Sequence, residues 1–421
     1  MNIAKLHELF LTCNSANTDT RKISQNDMFF ALTGDNFNGN TYANKALSLG
    51  AKYAIIDDPE YNTSSACILV ENTLKTLQAL ATYHRNYLKT PIIALTGSNG
   101  KTTTKELINT VLKQKYRTTA TIGNLNNHIG VPLTLLSMTK TTEIGIVEMG
   151  ANHQKEIAFL CQIAQPDYGY ITNFGKAHLE GFGGVEGVIK GKSEMYDYLI
   201  DNNKTVFVNA NDTIQVEKTK TANTISFGNK TTYLNIEFIG ANPFVSCLLK
   251  GIKINSQLIG DYNFNNIAAA IAIGQYFKVS IEDTKQAIEN YVPTNNRSQI
   301  IQKGQHKIIL DAYNANPSSM QAALLNFEKQ NGLKLAILGD MFELGNEAEI
   351  EHQNIANLAT SLSIDTVILI GENFYKTQTK SQQFKTFNNF KSQFNISTLQ
   401  SSTILIKGSR GMALERVLEL L

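Results

Sequence analysis

Short apolar runs bounded by polar or glycine-rich turns recur along this chain, and between them lie stretches with helical spacing. That alternation predicts an α/β protein. Up to residue 89 the apolar runs are 28–32, 53–56 and 67–70, with helical stretches at 42–49 and 73–87, which together read as a small α/β unit. Residues 88–91 read as a linker, because the residue before Pro91 is pushed out of helix. The first boundary is therefore placed at residue 89.

Over 90–296 the runs 92–95, 143–149, 168–172 and 206–209 alternate with helical stretches, predicting a largely parallel sheet with helices on both faces. Beyond Pro293 the rhythm restarts, and 297–421 carries runs at 308–311, 335–340, 366–371 and 403–407. This predicts a third, Rossmann-like domain. Its strands end on Asp311, Asp340, Gly371 and Lys407, and ligands of open α/β sheets sit beyond the carboxyl ends of strands. Turn chemistry alone accounts for any one of these; four together weigh more.

The most specific chemistry follows the apolar run at 92–95. Thr96, Gly97, Ser98, Asn99, Gly100, Lys101, Thr102 and Thr103 form a glycine turn between a strand and a helix start. Backbone N–H groups there suit phosphate oxygens, Lys101 supplies a point charge, and the Thr102 hydroxyl is placed for Mg²⁺. The glycine expected five residues before Gly100 falls on Leu95, so the loop is a variant. Glu148 ends a predicted strand downstream, where a carboxylate suits Mg²⁺ held against phosphates. His178 lies on a glycine-rich loop rather than an apolar helix face, and joins Glu148 as a candidate for a second cation site. Lys190 and Lys192 follow on a predicted helix, where spacing alone reads both as solvated charges.

Composition narrows the classes. With 421 residues and a formal net charge of +2, the chain is long enough for about three domains and offers no basic field for nucleic acid. The four cysteines, Cys13, Cys67, Cys161 and Cys247, lie far apart and show no zinc or redox spacing. Residues 1–20 hold no signal-like apolar run, and nowhere do about 18 uninterrupted apolar residues occur. A cytoplasmic protein with no membrane span is expected.

Several segments resemble the Mur ligases, and the resemblance covers nearly the whole chain. They are 96–102 (TGSNGKT), 124–134 (NLNNHIGVPLT), 148–151 (EMGA), 171–183 (ITNFGKAHLEGFG), 311–317 (DAYNANP), 338–345 (LGDMFELG) and 407–410 (KGSR). The last three look like those of the branch that joins D-alanyl-D-alanine to UDP-N-acetylmuramoyl-tripeptide. The resemblance implies a three-domain architecture: a UDP-substrate domain over 1–89, a central ATP-binding domain over 90–296 and a Rossmann-like ligase domain over 297–421. It also implies an ATP-dependent amide ligase acting through an acyl phosphate. The nearest rivals are another Mur-type or folylpolyglutamate synthase-like ligase and, in a different class, a P-loop regulatory NTPase.

The residue roles carry over in the same way. Lys101, Glu148, His178 and Lys192 are the implied catalytic set. Lys192, rather than Lys190, is the residue carbamylated by CO₂, and as a carbamate it joins Thr102, Glu148 and His178 as a Mg²⁺ ligand. Asn263 and Asn266 are placed near adenine, Arg297 reaches the nucleotide and Asp311 binds the ribose. Thr20, Arg21, Gly34, Asn38, Gly39 and Asn40, with Asn126 and Asn127, are placed at the UDP substrate. Tyr262, Asn38 and Asn40 stand where the family more often has histidine, aspartate and histidine. Asn316, Ser409 and Arg410 are dipeptide candidates by location. UDP-N-acetylmuramoyl-tripeptide and D-alanyl-D-alanine are the expected substrates, and a monomer is expected.

Overall fold

A computed structural model describes residues 2–228, 233–294, 296–395 and 400–421. Three main sheets follow one another along the chain. In the first, Ala16–Asn17, Met28–Phe30, Tyr53–Ile56 and Cys67–Leu69 pair in parallel in that order. Alternate side chains of a strand face opposite ways. Met28, Phe30 and Ile55 accordingly pack with Leu6, Leu77 and Leu80 of helices Ile3–Phe10 and Thr73–Leu88, while Phe29, Ala54 and Ile56 pack with Ala43 and Ala46 of helix Ala43–Ser48. Asn72 caps the long helix through its side chain, and Lys89, in the left-handed region, ends it before Pro91.

The central sheet runs, from one edge, Ile252–Ile259, Phe244–Leu249, Leu234–Ala241, Asn223–Gly228, Thr205–Asn209, Tyr168–Ile171, Ile92–Thr96, Ile144–Glu148 and Thr118–Ala120. Ile92–Thr96 holds the switch point. From it the chain moves outward on one side to Thr118–Ala120 and Ile144–Glu148, then crosses to Tyr168–Ile171 on the other. The loops leaving Thr96, Glu148 and Ile171 therefore converge at one sheet end, where a crevice forms. Odd and even residues of the first of these strands again divide, Ile93 and Leu95 into one core cluster, Ile92 and Ala94 into another. The expected parallel sheet is present. At its far edge residues 234–259 add two antiparallel pairings that the strand-and-helix rhythm did not anticipate.

The third sheet is ordered Gln299–Lys303, His306–Asp311, Ser402–Lys407, Leu333–Gly339, Thr366–Ile370, Gln382–Phe384. All pairs are parallel except the first. The last strand in sequence inserts beside His306–Asp311, bringing Asp311 and Lys407 side by side in register. Helix Pro317–Glu328 starts just past Asp311 with a capping box formed by Asn316 and Ser319.

Candidate active site

The phosphate loop is shaped by two glycines. Gly97 has φ +141°, and a Cβ there would lie 2.0 Å from the Thr172 hydroxyl; Gly100 has φ +78°, and a Cβ would lie 2.6 Å from Asn266 Oδ1. Only glycine fits either position. Asn173, at the end of the neighbouring strand, holds the loop by accepting from the Asn99 N–H (3.1 Å) and donating to the Asn99 carbonyl (3.0 Å). Helix Lys101–Leu112 begins with no side-chain cap, so its first-turn N–H groups are left for an anion. Lys101 Nζ meanwhile donates to the Gly97 carbonyl at 2.6 Å. Burial lowers its pKa to about 8, with Glu148 opposing and Arg297 assisting that shift.

Glu148 is 1 % exposed. Its Oε1 accepts from Thr102 Oγ1 (3.2 Å) and Asn126 Nδ2 (2.8 Å), while Oε2 is buried without a hydrogen-bond partner. A buried carboxylate oxygen left unpaired is costly unless a cation completes it. The residues present thus fit Mg²⁺ beside Thr102. Among the described residues no three His, Cys, Asp or Glu side chains gather as a metal cage. That suits an ion held by one or two protein groups plus substrate phosphates.

These groups line one cavity of about 1130 Å³, which also takes in Asn126, Asn127 and His178 and, from the third domain, Arg297, Asp311 and Asn316. His178 adopts a left-handed conformation at φ +54° just before the short helix Leu179–Phe182. Its Nδ1 is bonded to the carboxylate of Glu343 in the third domain, and that bond holds the Glu343 carboxyl below its usual range. Lys192 lies behind the cavity wall on helix Val185–Asp201, fully buried, donating to the Ala151 carbonyl at 3.0 Å and lying 4.8 Å from the Phe182 ring. Desolvation, then repulsion from Lys101, pushes its pKa well below that of a free lysine. Lys190 is exposed. Burial thus separates two lysines that spacing could not.

Several other expected residues line the same cavity and already have partners within the protein. Asn263 and Asn266 line the cavity, but their amides are engaged: Asn266 Nδ2 donates to Asn263 Oδ1 (2.8 Å), Asn263 Nδ2 to the Ile259 carbonyl (2.8 Å), and Thr104 Oγ1 to Asn266 Oδ1 (3.0 Å). They fasten helix Asn263–Tyr276 to the phosphate loop. Asp311 accepts from the Ser298 N–H (3.1 Å) and from buried Lys407 (2.5 Å). The Arg297 guanidinium lies 3.8 Å from the Tyr313 ring, with its Nε buried and unpaired. Asn316 lines the cavity and donates to Asn99 Oδ1 at 2.7 Å across the domains. Ser409 is buried, its hydroxyl accepting from the Phe342 N–H, and Arg410 is paired with Glu415.

Thr20, Arg21, Gly34, Asn38, Gly39 and Asn40 do not line this cavity. They stand on the first domain, where Asp19 grips Arg21 and buried Asn40 donates to Asp57 Oδ1 (2.8 Å) and Asn38 Oδ1 (2.9 Å). Sequence reasoning did not single out Asn173, Tyr313 or Glu343. All three lie inside recognised segments, 171–183, 311–317 and 338–345, but their contacts, such as that of Glu343 with His178, are made only through the fold.

Three family models match in succession: "Mur ligase family, catalytic domain" over residues 14–85, "Mur ligase middle domain" over 95–274 and "Mur ligase, glutamate ligase domain" over 296–410. The UDP-N-acetylmuramoyl-tripeptide--D-alanyl-D-alanine ligase of Bacillus subtilis (strain 168) is 34 % identical, covering 96 % of this chain and 92 % of its own length. The ligase of the same name from Escherichia coli (strain K12) is 32 % identical, covering 98 % and 94 %. A crystal structure of MurF from Acinetobacter baumannii superposes with a TM-score of 0.86 at 30 % identity, over 99 % of this chain and 97 % of that one. The MurF ligase of Thermotoga maritima in complex with ADP gives 0.84 at 27 %, over 98 % and 97 %. In sequence, in the order of its domains and in fold, the chain belongs to the Mur ligase family.

Proposed function

We propose that the chain is an ATP-dependent ligase that joins D-alanyl-D-alanine to UDP-N-acetylmuramoyl-tripeptide, yielding the pentapeptide precursor of peptidoglycan. The observation that carries this reading is one cavity walled by a phosphate loop, a buried carboxylate with one unpaired oxygen and the strand ends of a third domain. Full-length similarity to ligases bearing that name supports it. The terminal carboxylate of the tripeptide attacks the γ-phosphorus of ATP, releasing ADP and forming an acyl phosphate. The amine of the dipeptide then attacks the acyl carbon, phosphate leaves, and the amine proton is lost to solvent.

In this reading the loop N–H groups and Lys101 bind and orient the phosphates. Thr102 and Glu148 would hold Mg²⁺, which when bound draws charge from the phosphoryl oxygens. His178 and a carbamate on Lys192 would hold a second ion. Burial favours the neutral Lys192 amine, the form that adds to CO₂ with loss of one proton. Arg297 and Asp311 face the nucleotide, and Asn316 the dipeptide. Thr20, Arg21, Gly34, Asn38, Gly39 and Asn40 cradle the UDP group, and Asn126 and Asn127, which line the cavity, bind the same substrate. Asn126 orients Glu148 as well.

The first domain holds UDP, the second the phosphates and the third the dipeptide, with hinges near Pro91 and Pro293. Among the described residues no helix is long and apolar enough to cross a membrane. The protein acts as a monomer in the cytoplasm. Phosphate release and product mass, measured with UDP-N-acetylmuramoyl-tripeptides carrying lysine or diaminopimelate at the third position, test the activity. Release that does not depend on D-alanyl-D-alanine would instead indicate an NTPase. Lys192→Ala should abolish ligation and regain it with short carboxylic acids; full activity without them would remove the carbamate.

A further inference from the structure

The segment 340–345 is held from beneath by the third domain's own core. The Met341 N–H donates to Nε2 of fully buried His352 at 2.9 Å, and the Phe342 N–H donates to Ser409 Oγ at 2.9 Å. Ser409 in turn donates its N–H to the Asp340 carbonyl at 3.0 Å. Glu343 therefore projects from a braced loop. It meets the central domain twice: its carboxylate accepts from His178 Nδ1, and its carbonyl accepts from the Glu180 N–H at 3.2 Å. Beside it a Cβ on Gly345 would touch Glu180 Cβ at 3.2 Å, so the two segments are in close contact.

A histidine whose Nδ1–H is tied to a carboxylate presents Nε2 as a lone pair in a fixed direction. Here the tying carboxylate belongs to a different domain. We propose that Glu343 is a positioning residue that sets the tautomer and aim of His178, so that the cation site becomes fully competent only when the third domain is docked. The inference rests on the ligase reading of the cavity. It extends that reading by making domain closure and cation affinity one event.

Mn²⁺ binding to the nucleotide-loaded protein, followed by electron paramagnetic resonance, tests it separately from ligation. Glu343→Ala should weaken Mn²⁺ about 10–100-fold. Glu343→Gln, which keeps an acceptor for Nδ1–H, should recover most of that loss. Lys176→Ala breaks the ion pair with Glu351 across the same two domains without touching His178; it should stay within about twofold of wild type. Equal losses in Glu343→Ala and Lys176→Ala, or none in Glu343→Ala, would overturn the proposal. The ¹⁵N shifts of the His178 ring in the unaltered protein probe the tautomer without any substitution, Nδ1–H supporting the proposal and Nε2–H refuting it. Should wild type bind Mn²⁺ with this dependence on Glu343 yet form no amide, the ligase reading alone would fall.

Discussion

One apolar cluster runs through both seams that join the central domain to its neighbours, and the seams differ in how far their polar contacts are exposed. At the first, helix Thr73–Leu88 packs its apolar side, Leu77, Leu80 and Ala81, into a cluster continuous with Val131, Leu135, Leu160 and Ile163 of the central domain. Several of its polar contacts are buried or partly buried, although Gln78 donates to the His128 carbonyl at the surface. Arg85 is 9 % exposed and donates to the Ala164 and Gln165 carbonyls and to Asp167, and His84 is bonded to His7 and to the Met138 carbonyl. At the second seam the polar contacts Lys176–Glu351, His178–Glu343 and Lys329–Asp261 each have at least one half-exposed partner. Water can replace these at little cost, whereas the Arg85 guanidinium is largely shielded from it. The more exposed polar contacts of the second seam make it the easier of the two to open, which suits a reaction that must exclude water from an acyl phosphate.

The sharpest way to break this contrast is to remove Arg85. Arg85→Met forfeits three hydrogen bonds, one buried and two partly buried, and leaves Asp167 with Lys204 and the Ile92 N–H. A loss of about 2–4 kcal/mol in urea unfolding is expected. A loss below about 1 kcal/mol would mean that the first seam is no firmer than the second.

A smaller effect comes from acid. Burial, and then the neighbouring His84, lowers the pKa of His7 to about 4, and burial lowers that of His84. Tyr83 and Tyr87 pack around the pair, and Lys140 lies over the Tyr87 ring. Since the unfolded chain takes up these protons near pH 6.5 and the folded one does not, stability should fall as pH drops from about 6.5 to about 4 and level off below. His7→Gln keeps a donor for His84 Nδ1 but does not titrate. Its melting temperature should therefore vary less across that window than wild type's, and an unchanged slope would place the acid-sensitive groups elsewhere.

The same contrast explains what was legible in the chain. Gly97, Gly100 and Lys101 were readable because the loop they build is contiguous and its shape demands them locally. Most inner strands of the three sheets were readable from apolar runs for a similar reason, whereas short or edge strands such as Ala16–Asn17, Thr118–Ala120, Gln299–Lys303 and Gln382–Phe384 were not. Lys192 could be told from Lys190 by the family resemblance but not by helical spacing, since two positions on one helix differ only in what packs over them; Phe182 and Ala151 cover Lys192, while Lys190 is exposed. The edge strands over 234–259 alternate buried and exposed residues, but they interrupt a strand-and-helix rhythm and so went unread. The amides of Asn263 and Asn266 look free in sequence, yet each finds its partner within the fold. Glu343 and His178 stand 165 positions apart, and although both lie in recognised segments, 338–345 and 171–183, nothing in either segment announces the contact between them.

The mildest perturbation is salt. Raising the ionic strength from about 0.05 M to about 0.5 M shortens the screening length well below the spacing between domains, so exposed pairs weaken while buried ones scarcely change. In ligand-free protein this should favour the open state, with the radius of gyration from small-angle scattering growing by a few ångströms, on the order of a modest hinge opening. With ATP, tripeptide and dipeptide analogues bound, the same salt step should change the profile little, because contacts through the ligands then add to Lys176–Glu351 and His178–Glu343. Expansion with salt that also lowers the melting temperature by several degrees would shift the weakness to the first seam, and with it the hinge from Pro293 to Pro91.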